Sequence, residues 1–303
     1  MEFVDKALAR RLEAAEEIPQ IHYAAAYQRQ RPAIGAEARE ICGGHMVFAG
    51  LGSPIGRAVG MGLDQPFTAA DLDIVEDFYR VHSAPAQLDV CPLHDVELLE
   101  LCKTRGYAMA ELNNVLWRPM RWRVEDAVQV PDGTEIRPGR PEEAEQFAAI
   151  VAASFHEFGD PPEGFHAMLT PLFQFPGVLP FVASVNGMMA GVGAALLIPE
   201  HRIVALFGAG TLPQFRRKGI QTALLQVRLQ AARATGCDIA VIVTRGGTTS
   251  QRNAERLGFR LAYSKATLIK QWGRKDRHRR NWDATCSHVA GCIPAVWPAR
   301  ERI

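Results

Sequence analysis

The chain has 303 residues, room for two compact units, with 48% hydrophobic and 22% charged residues, the balance of an ordinary globular protein. A formal net charge of +1 excludes a global field that would gather nucleic acid or an anionic membrane, so any anion site must be local. Six cysteines without a C-x-x-C pair exclude a disulfide scaffold and read as reduced thiols of a cytoplasmic protein; residues 1–18 lack the pattern of a signal peptide, and no stretch reaches the ~18 apolar residues of a membrane span.

The first expected element is an amphipathic helix packed on the first unit. Phe3, Val4, Ala7, Leu8, Leu12 and Ala15 fall on one face, with Arg10, Arg11 and Glu13 off it. Strands are expected at 46–50 and, rich in glycine, at 58–63. Thr68-Ala69-Ala70-Asp71 has the spacing of a capping box and opens a helix carrying Leu72, Val75, Phe78 and Val81. A short strand at 87–90 and a helix at 95–104 follow, with Gly106 as the helix's C-terminal cap and 111–117 extended. Pro131-Asp132-Gly133 is a turn signal and divides the chain into a unit at 1–130, a second at 131–273, and a basic tail at 274–303 expected to be flexible.

The second unit opens with a strand at 135–137. Pro141-Glu142-Glu143 then starts a helix whose buried face is Phe147, Ile150, Val151 and Phe155. Runs at 179–185 and 188–197 flank Asn186-Gly187, the pair suited to both positive φ angles of a type I′ hairpin. A strand at 202–208 leads to a long helix at 219–235. The apolar run at 238–244 reads as a central strand buried on both faces. A short helix at 250–257, capped by Ser250 and closed by Gly258, and a strand at 261–272 complete the unit. Each half thus ends in helix, strand, helix, Gly-aromatic, strand, with Gly106-Tyr107 answering Gly258-Phe259, a weak internal duplication.

The chemistry concentrates at Gly210-Thr211-Leu212-Pro213-Gln214-Phe215-Arg216-Arg217-Lys218-Gly219-Ile220-Gln221-Thr222, where a strand ends, a basic loop follows and a helix begins. The first turn of a helix leaves N–H groups without internal partners, and the macrodipole favours an anion beyond them. Three consecutive cations there work against the dipole unless an anion sits among them. Gly219 is expected in the first helical turn, where a side chain would point into that anion while leaving the fold untroubled. A pyrophosphate is the natural guest. Neither a Walker loop nor a G-x-G-x-x-G turn is present. The first half has Asp64-Gln65-Pro66-Phe67-Thr68 at the matching place and so lacks the device.

This segment resembles motif A of the GNAT acetyltransferase superfamily, with Arg216, Gly219 and Gln221 at the signature positions. Ser250-Gln251-Arg252-Asn253-Ala254-Glu255-Arg256-Leu257-Gly258-Phe259 resembles its motif B, and the Asn-Gly hairpin matches its second and third strands. The resemblance runs over residues 135–272. It implies an α/β fold of two such units, each a splayed mixed sheet flanked by helices, the first degenerate. It implies acetyl-CoA or another acyl-CoA as co-substrate, with no metal, held by Gly210, Thr211, Leu212 and residues 216–222, with Ser250 and Asn253 near the pantetheine or adenosine end.

The acceptor implied is an amine of a small molecule or peptide, without nucleic-acid or membrane partners and with a homodimer allowed. Gln221 stands where Gly or Ala is usual, so its side chain must turn from the phosphates. Ala254 stands where many members place a Tyr acid. Tyr263 could supply that acid, and His156 or Glu157 the base. A non-catalytic acyl-CoA-binding or sensing protein is the alternative. In the tail, the basic run 274–280 and Cys286, His288 and Cys292 read as solvated chain, because a closed zinc site wants a fourth ligand.

Overall fold

The computed structural model describes residues 3–53, 55–94, 96–121, 128–155 and 165–272. His156, Glu157 and the tail at 274–303 lie outside the described residues.

Helix α1 (Lys6–Gln30) is capped by Asp5, whose carboxylate accepts from the Leu8 N–H at 2.8 Å. It runs well past Ala15 and through Pro19, with Tyr23 and Tyr27 buried in its second half. The expected face is only partly right. Phe3 is exposed, while Glu13, expected off the face, is buried. The buried stripe is interrupted by Glu13, Glu17 and Gln20, which is why hydrophobic periodicity misses it. Nor does α1 serve the first unit alone. Arg11 donates to the His201 carbonyl, and the Tyr23 hydroxyl donates to the Met168 carbonyl, both in the second half.

Strands β1 (Glu37–Ile41) and β2 (Gly44–Phe48) form an antiparallel pair. β3 is Ala58–Val59 alone. Gly60 and Gly62 take φ of 73°, turning the chain out of the expected longer strand. α2 (Ala69–Val81) opens on the expected capping box of Thr68 and Asp71. β4 (Ala86–Val90), α3 (Val96–Thr104) and β5 (Ala108–Pro119) follow.

In the second half β6 (Thr134–Pro138) leads through a 3-10 turn to α4 (Ala144–Phe155) and α5 (Phe165–Leu169). β7 (Val178–Val185) and β8 (Met188–Ile198) form the expected hairpin, with Asn186 at φ 50° and Gly187 at φ 78°. β9 (Ile203–Thr211), α6 (Ile220–Arg233), β10 (Ile239–Arg245), α7 (Thr249–Arg256) and β11 (Arg260–Lys270) complete the fold.

The duplication is visible in detail. α3 and α7 end alike. The N–H of Gly106 bonds to the Lys103 carbonyl and that of Tyr107 to Cys102, and Gly258 and Phe259 repeat this with Glu255 and Ala254. Both are Schellman ends, closed by a left-handed glycine at φ 77° and 83°. The two halves nevertheless share one sheet, in the order β1-β2-β3-β4-β11-β5-β10-β9-β8-β7-β6. The halves exchange their last strands: β11 lies between β4 and β5, and β5 lies between β11 and β10. α1 and α4 bury one core, including Leu12, Phe147, Trp117 and Val241; α6 and α7 cover Leu116, Val204, Leu206 and Ile242.

Candidate functional site

β9 and β10 are parallel and pair at Ile203–Ile239, Val204–Ala240 and Ala205–Val241, and there the pairing stops. Beyond it β9 stays with β8 and β10 stays with β5. The sheet therefore splays between residues 206–211 and 242–245. A bulge lies on the β9 side: Val192 faces Gly210 and Ala194 faces Phe207, so Gly193 opposes both Gly208 and Ala209. Gly208 has φ 54°, the left-handed value the bulge requires.

The basic loop joins the diverging end of β9 to the start of α6. Arg217 has φ 61° and Gly219 φ 82°, with Lys218 of ordinary φ between them. Alternation of hand along consecutive residues gathers N–H groups into an anion-binding nest. Gly219 is the N-cap of α6 and makes no side-chain cap. This corrects the expectation that it sits in the first turn. Glycine is required there by backbone conformation, since a Cβ at 219 would meet only Pro131 at 3.4 Å. The first N–H groups of α6 thus have neither an intrahelical partner nor a side-chain cap. The equivalent start of α2 is closed by Thr68 and Asp71.

The three cations have different places. Arg216 is a strut, with Nε donating to the Thr211 carbonyl and Nη2 to the Ser154 carbonyl at the end of α4, both at 3.2 Å. Arg217 and Lys218 are exposed, and no carboxylate among the described residues pairs with either; Lys218 Nζ stands 5.6 Å from the Phe215 ring centroid. Gln221 does turn aside, its Oε1 accepting from Thr211 Oγ1 at 3.2 Å. Thr222 is half-buried and Ile220 packs under the loop. The Leu212 N–H bonds to the Ala190 carbonyl at 2.9 Å. Gly210 has a packing reason: a Cβ there would stand 2.5 Å from Ser154 Oγ, so glycine lets α4 lie against β9.

On the motif B helix, Thr248 rather than Ser250 is the N-cap, accepting from the Gln251 N–H at 3.3 Å. Ser250 is exposed in the first turn and Asn253 is half-buried. Ala254 is fully buried in the core between α6, α7 and the sheet. Tyr263 does not stand free. Its hydroxyl donates to Glu13 Oε1 at 2.7 Å, and burial together with the Glu13 carboxylate pushes its pKa far above the ordinary phenol value.

That contact belongs to a buried charge cluster between α1 and the strands β4, β5 and β11. Lys265 Nζ lies 3.2 Å from Glu13 and 3.9 Å from Asp89, and it also pairs with Glu16. Arg57 lies 3.3 Å from Asp89 and 3.1 Å from Glu111, and Thr267 Oγ1 donates to Asp89 at 2.6 Å. Burial alone would lower the Lys265 pKa, yet the surrounding carboxylates hold it above its ordinary value. β3 and β4 are parallel, like β9 and β10 of the second half, and meet only at Ala58–Leu88. At the loop matching the basic one, Asp64 pairs with Arg10 at 3.0 Å.

Sequence reasoning missed two polar residues, Ser154 beside the basic loop and Arg228 behind β8. Ser154 is hidden because α4's apolar period says nothing of polar contacts at its end. Arg228 is hidden because a charged residue in a helix is read as facing water; it is buried against β8.

Residues 145–259 match the acetyltransferase (GNAT) family model. Among solved structures, the chain is similar to a GCN5-related N-acetyltransferase from Kribbella flavida, with a TM-score of 0.59 and 16% identity over 82% of this chain and 96% of that one. It is similar also to a functionally unknown conserved protein from Staphylococcus epidermidis, with a TM-score of 0.55 and 15% identity over 78% of this chain and 95% of that one. A tandem GNAT protein from the clavulanic acid biosynthesis pathway gives a TM-score of 0.53 and 13% identity over 66% of this chain and 68% of that one. No curated protein matches the chain in sequence. At these identities the solved structures speak for the fold, a splayed mixed sheet flanked by helices.

Proposed function

We propose that this chain, which carries an acetyltransferase domain of the GNAT family at residues 145–259, transfers an acetyl or other acyl group from acyl-CoA to an amine. The observation that carries the reading is the uncapped, glycine-led start of α6 beside the splay, with the exposed Arg217 and Lys218 in front of it. Backbone N–H groups from Arg217 to Thr222 would take the pyrophosphate. The pantetheine would lie between β9 and β10, using strand edges that lack a partner beyond Ala205 and Val241. Ser250 and Asn253 stay proposed for the pantetheine or adenosine end.

The reaction balances without another reactant. An amine nitrogen attacks the thioester carbon, the C–N bond forms, and the C–S bond breaks with its electron pair left on sulfur. The amine loses a proton and the thiolate gains one, giving an amide and free CoA. N–H groups at the β9 bulge would stabilise the oxyanion. Glu157, outside the described residues, stays the proposed base, with His156 beside it. Tyr263 is better read as an anchor for α1, because its proton is already donated to Glu13. Solvent can return the proton to sulfur at an open site.

The reading is tested by mass-spectrometric detection of acyl transfer from acetyl-CoA to a panel of small-molecule and peptide amines. A protein that binds CoA but acylates none of them supports the second reading, a CoA-binding sensor. The buried, apolar Ala254, standing where many members of that family place a Tyr acid, favours that second reading.

A further inference from the structure

One charge is buried under α6 where sequence offers no reason for it. β7, β8 and β9 read VLPFVASV, MMAGVGAALLI and IVALFGAGT, without an ionisable side chain among them. Yet Arg228, on the α6 face toward β8, is 2% exposed. Its Nε donates to the Leu224 carbonyl at 3.0 Å and its Nη1 to the Ala194 carbonyl at 3.1 Å. No carboxylate among the described residues pairs with it. Burial pulls its pKa down to about 10, which leaves it charged at neutral pH. The guanidinium rests on Gly193, where an added Cβ would stand 2.8 Å from Cζ. Gly193 is glycine because Arg228 fills that space.

A buried cation without a counter-ion burdens the fold, and a well-packed apolar side chain in its place is commonly neutral or stabilising. Its place in the fold suggests what offsets that burden. Gly193 is the residue of β8 that opposes Gly208 and Ala209, the bulge on the strand that leaves β10. Arg228 thus stands directly behind the bulge, one strand from the cleft. Arg118 of β5 is also buried, on the α7 side beside Gly258, whereas Arg252, Glu255 and Arg256 of α7 are exposed, as are Arg217 and Lys218 at the phosphate end.

We propose that Arg228 is a positioning residue for acyl transfer, which holds the β8–β9 bulge through the Ala194 carbonyl and sets an uncompensated positive charge behind it, favouring negative charge on the CoA sulfur. The inference rests on the acyl-CoA reading of the cleft. Arg228 forms no bond to the substrate and moves no proton. When the C–S bond breaks, the electron pair stays on sulfur and the field of the guanidinium lowers its energy in a low-dielectric surrounding.

The test follows the thiolate absorbance of CoA bound to the full-length protein as pH is raised, beside calorimetric CoA affinity and melting temperature. In the wild type the bound thiol should titrate below free CoA. Arg228→Met, which keeps the volume and removes the charge, should raise that bound-thiol pKa by about one unit. CoA affinity at neutral pH should stay within a few-fold, and the melting temperature should hold or rise. Arg228→Lys should keep most of the depression. A residue with a merely structural role would lower the melting temperature and leave the thiol unmoved. A wild-type bound thiol that titrates like free CoA overturns the inference, as does an unchanged value in Arg228→Met. Should Arg228→Met fail to fold, the wild type and Arg228→Lys decide the matter. A wild type that does not bind CoA defeats the cleft reading itself, before any variant is compared.

Discussion

The Tyr263 hydroxyl donates to Glu13 at 2.7 Å, joining residues 250 positions apart in the buried interior. With Lys265 on the same strand and Glu16 one turn along the helix, it fastens α1 across the exchanged strand β11.

Tyr263→Phe is accordingly expected to lower stability by about 1–3 kcal/mol, because the Glu13 carboxylate loses a buried donor. Turnover at saturating acyl-CoA should change little. A large fall in turnover with an unaltered melting temperature would return Tyr263 to the mechanism as the acid.

Gly219→Ala should destabilise the protein by about 1 kcal/mol or more, since φ of 82° suits glycine and strains an L side chain. CoA affinity should fall with it as the loop shifts. Gly219→Asn, which tolerates the left-handed region better, should retain more of both. The explanation fails if calorimetry and melting show Ala and Asn to be equivalent and both like the wild type.

Much of this was legible in the sequence. The Asn186-Gly187 hairpin, the Thr68–Asp71 capping box and the Gly-aromatic helix ends are local, and local chemistry decides them. So is the basic loop before α6. What the sequence hid is non-local. No period or turn residue says that β11 inserts between β4 and β5. Glu13 reads as a surface residue because its partners, Tyr263 and Lys265, are far along the chain. Arg228 reads as solvated for the same reason, its partner being a backbone carbonyl on β8. The left-handed φ of Gly219 could have been suspected from its place just before the helix, where a glycine more often serves the backbone than a ligand.

The strand exchange predicts that a fragment of residues 131–303 will not fold alone. The sequence divides near Pro131, but that fragment lacks β5, which pairs with β10 along 239–245 and with β11 on its other edge. It would expose two strand edges and the apolar surface beneath α1. Circular dichroism and melting should show no cooperative transition; a cooperative transition with CoA binding would make the second half autonomous.

Acid should weaken the entrance to α4. Arg137, opposed by burial and aided by Arg140, holds the Glu143 carboxyl down at about 2, against an ordinary 4.5. A depressed carboxylate stabilises the fold above its unfolded value and loses that contribution as pH falls toward the folded one. Glu143→Gln should therefore flatten the loss of stability between about pH 5 and about pH 2. The partly exposed pair limits the effect to about 1 kcal/mol. Parallel pH curves for variant and wild type would remove Glu143 from the acid response.

The account turns on whether the start of α6 holds CoA. Calorimetric titration of CoA into the full-length protein, beside the double variant Arg217→Ala with Lys218→Ala, tests this most directly. Both side chains are exposed and make no ion pair among the described residues, so the fold should survive their removal. The wild type should bind CoA with an affinity that falls as salt rises, and the double variant should bind about tenfold to a hundredfold more weakly. A wild type that does not bind CoA, or a double variant that binds it equally well, would contradict the central claim.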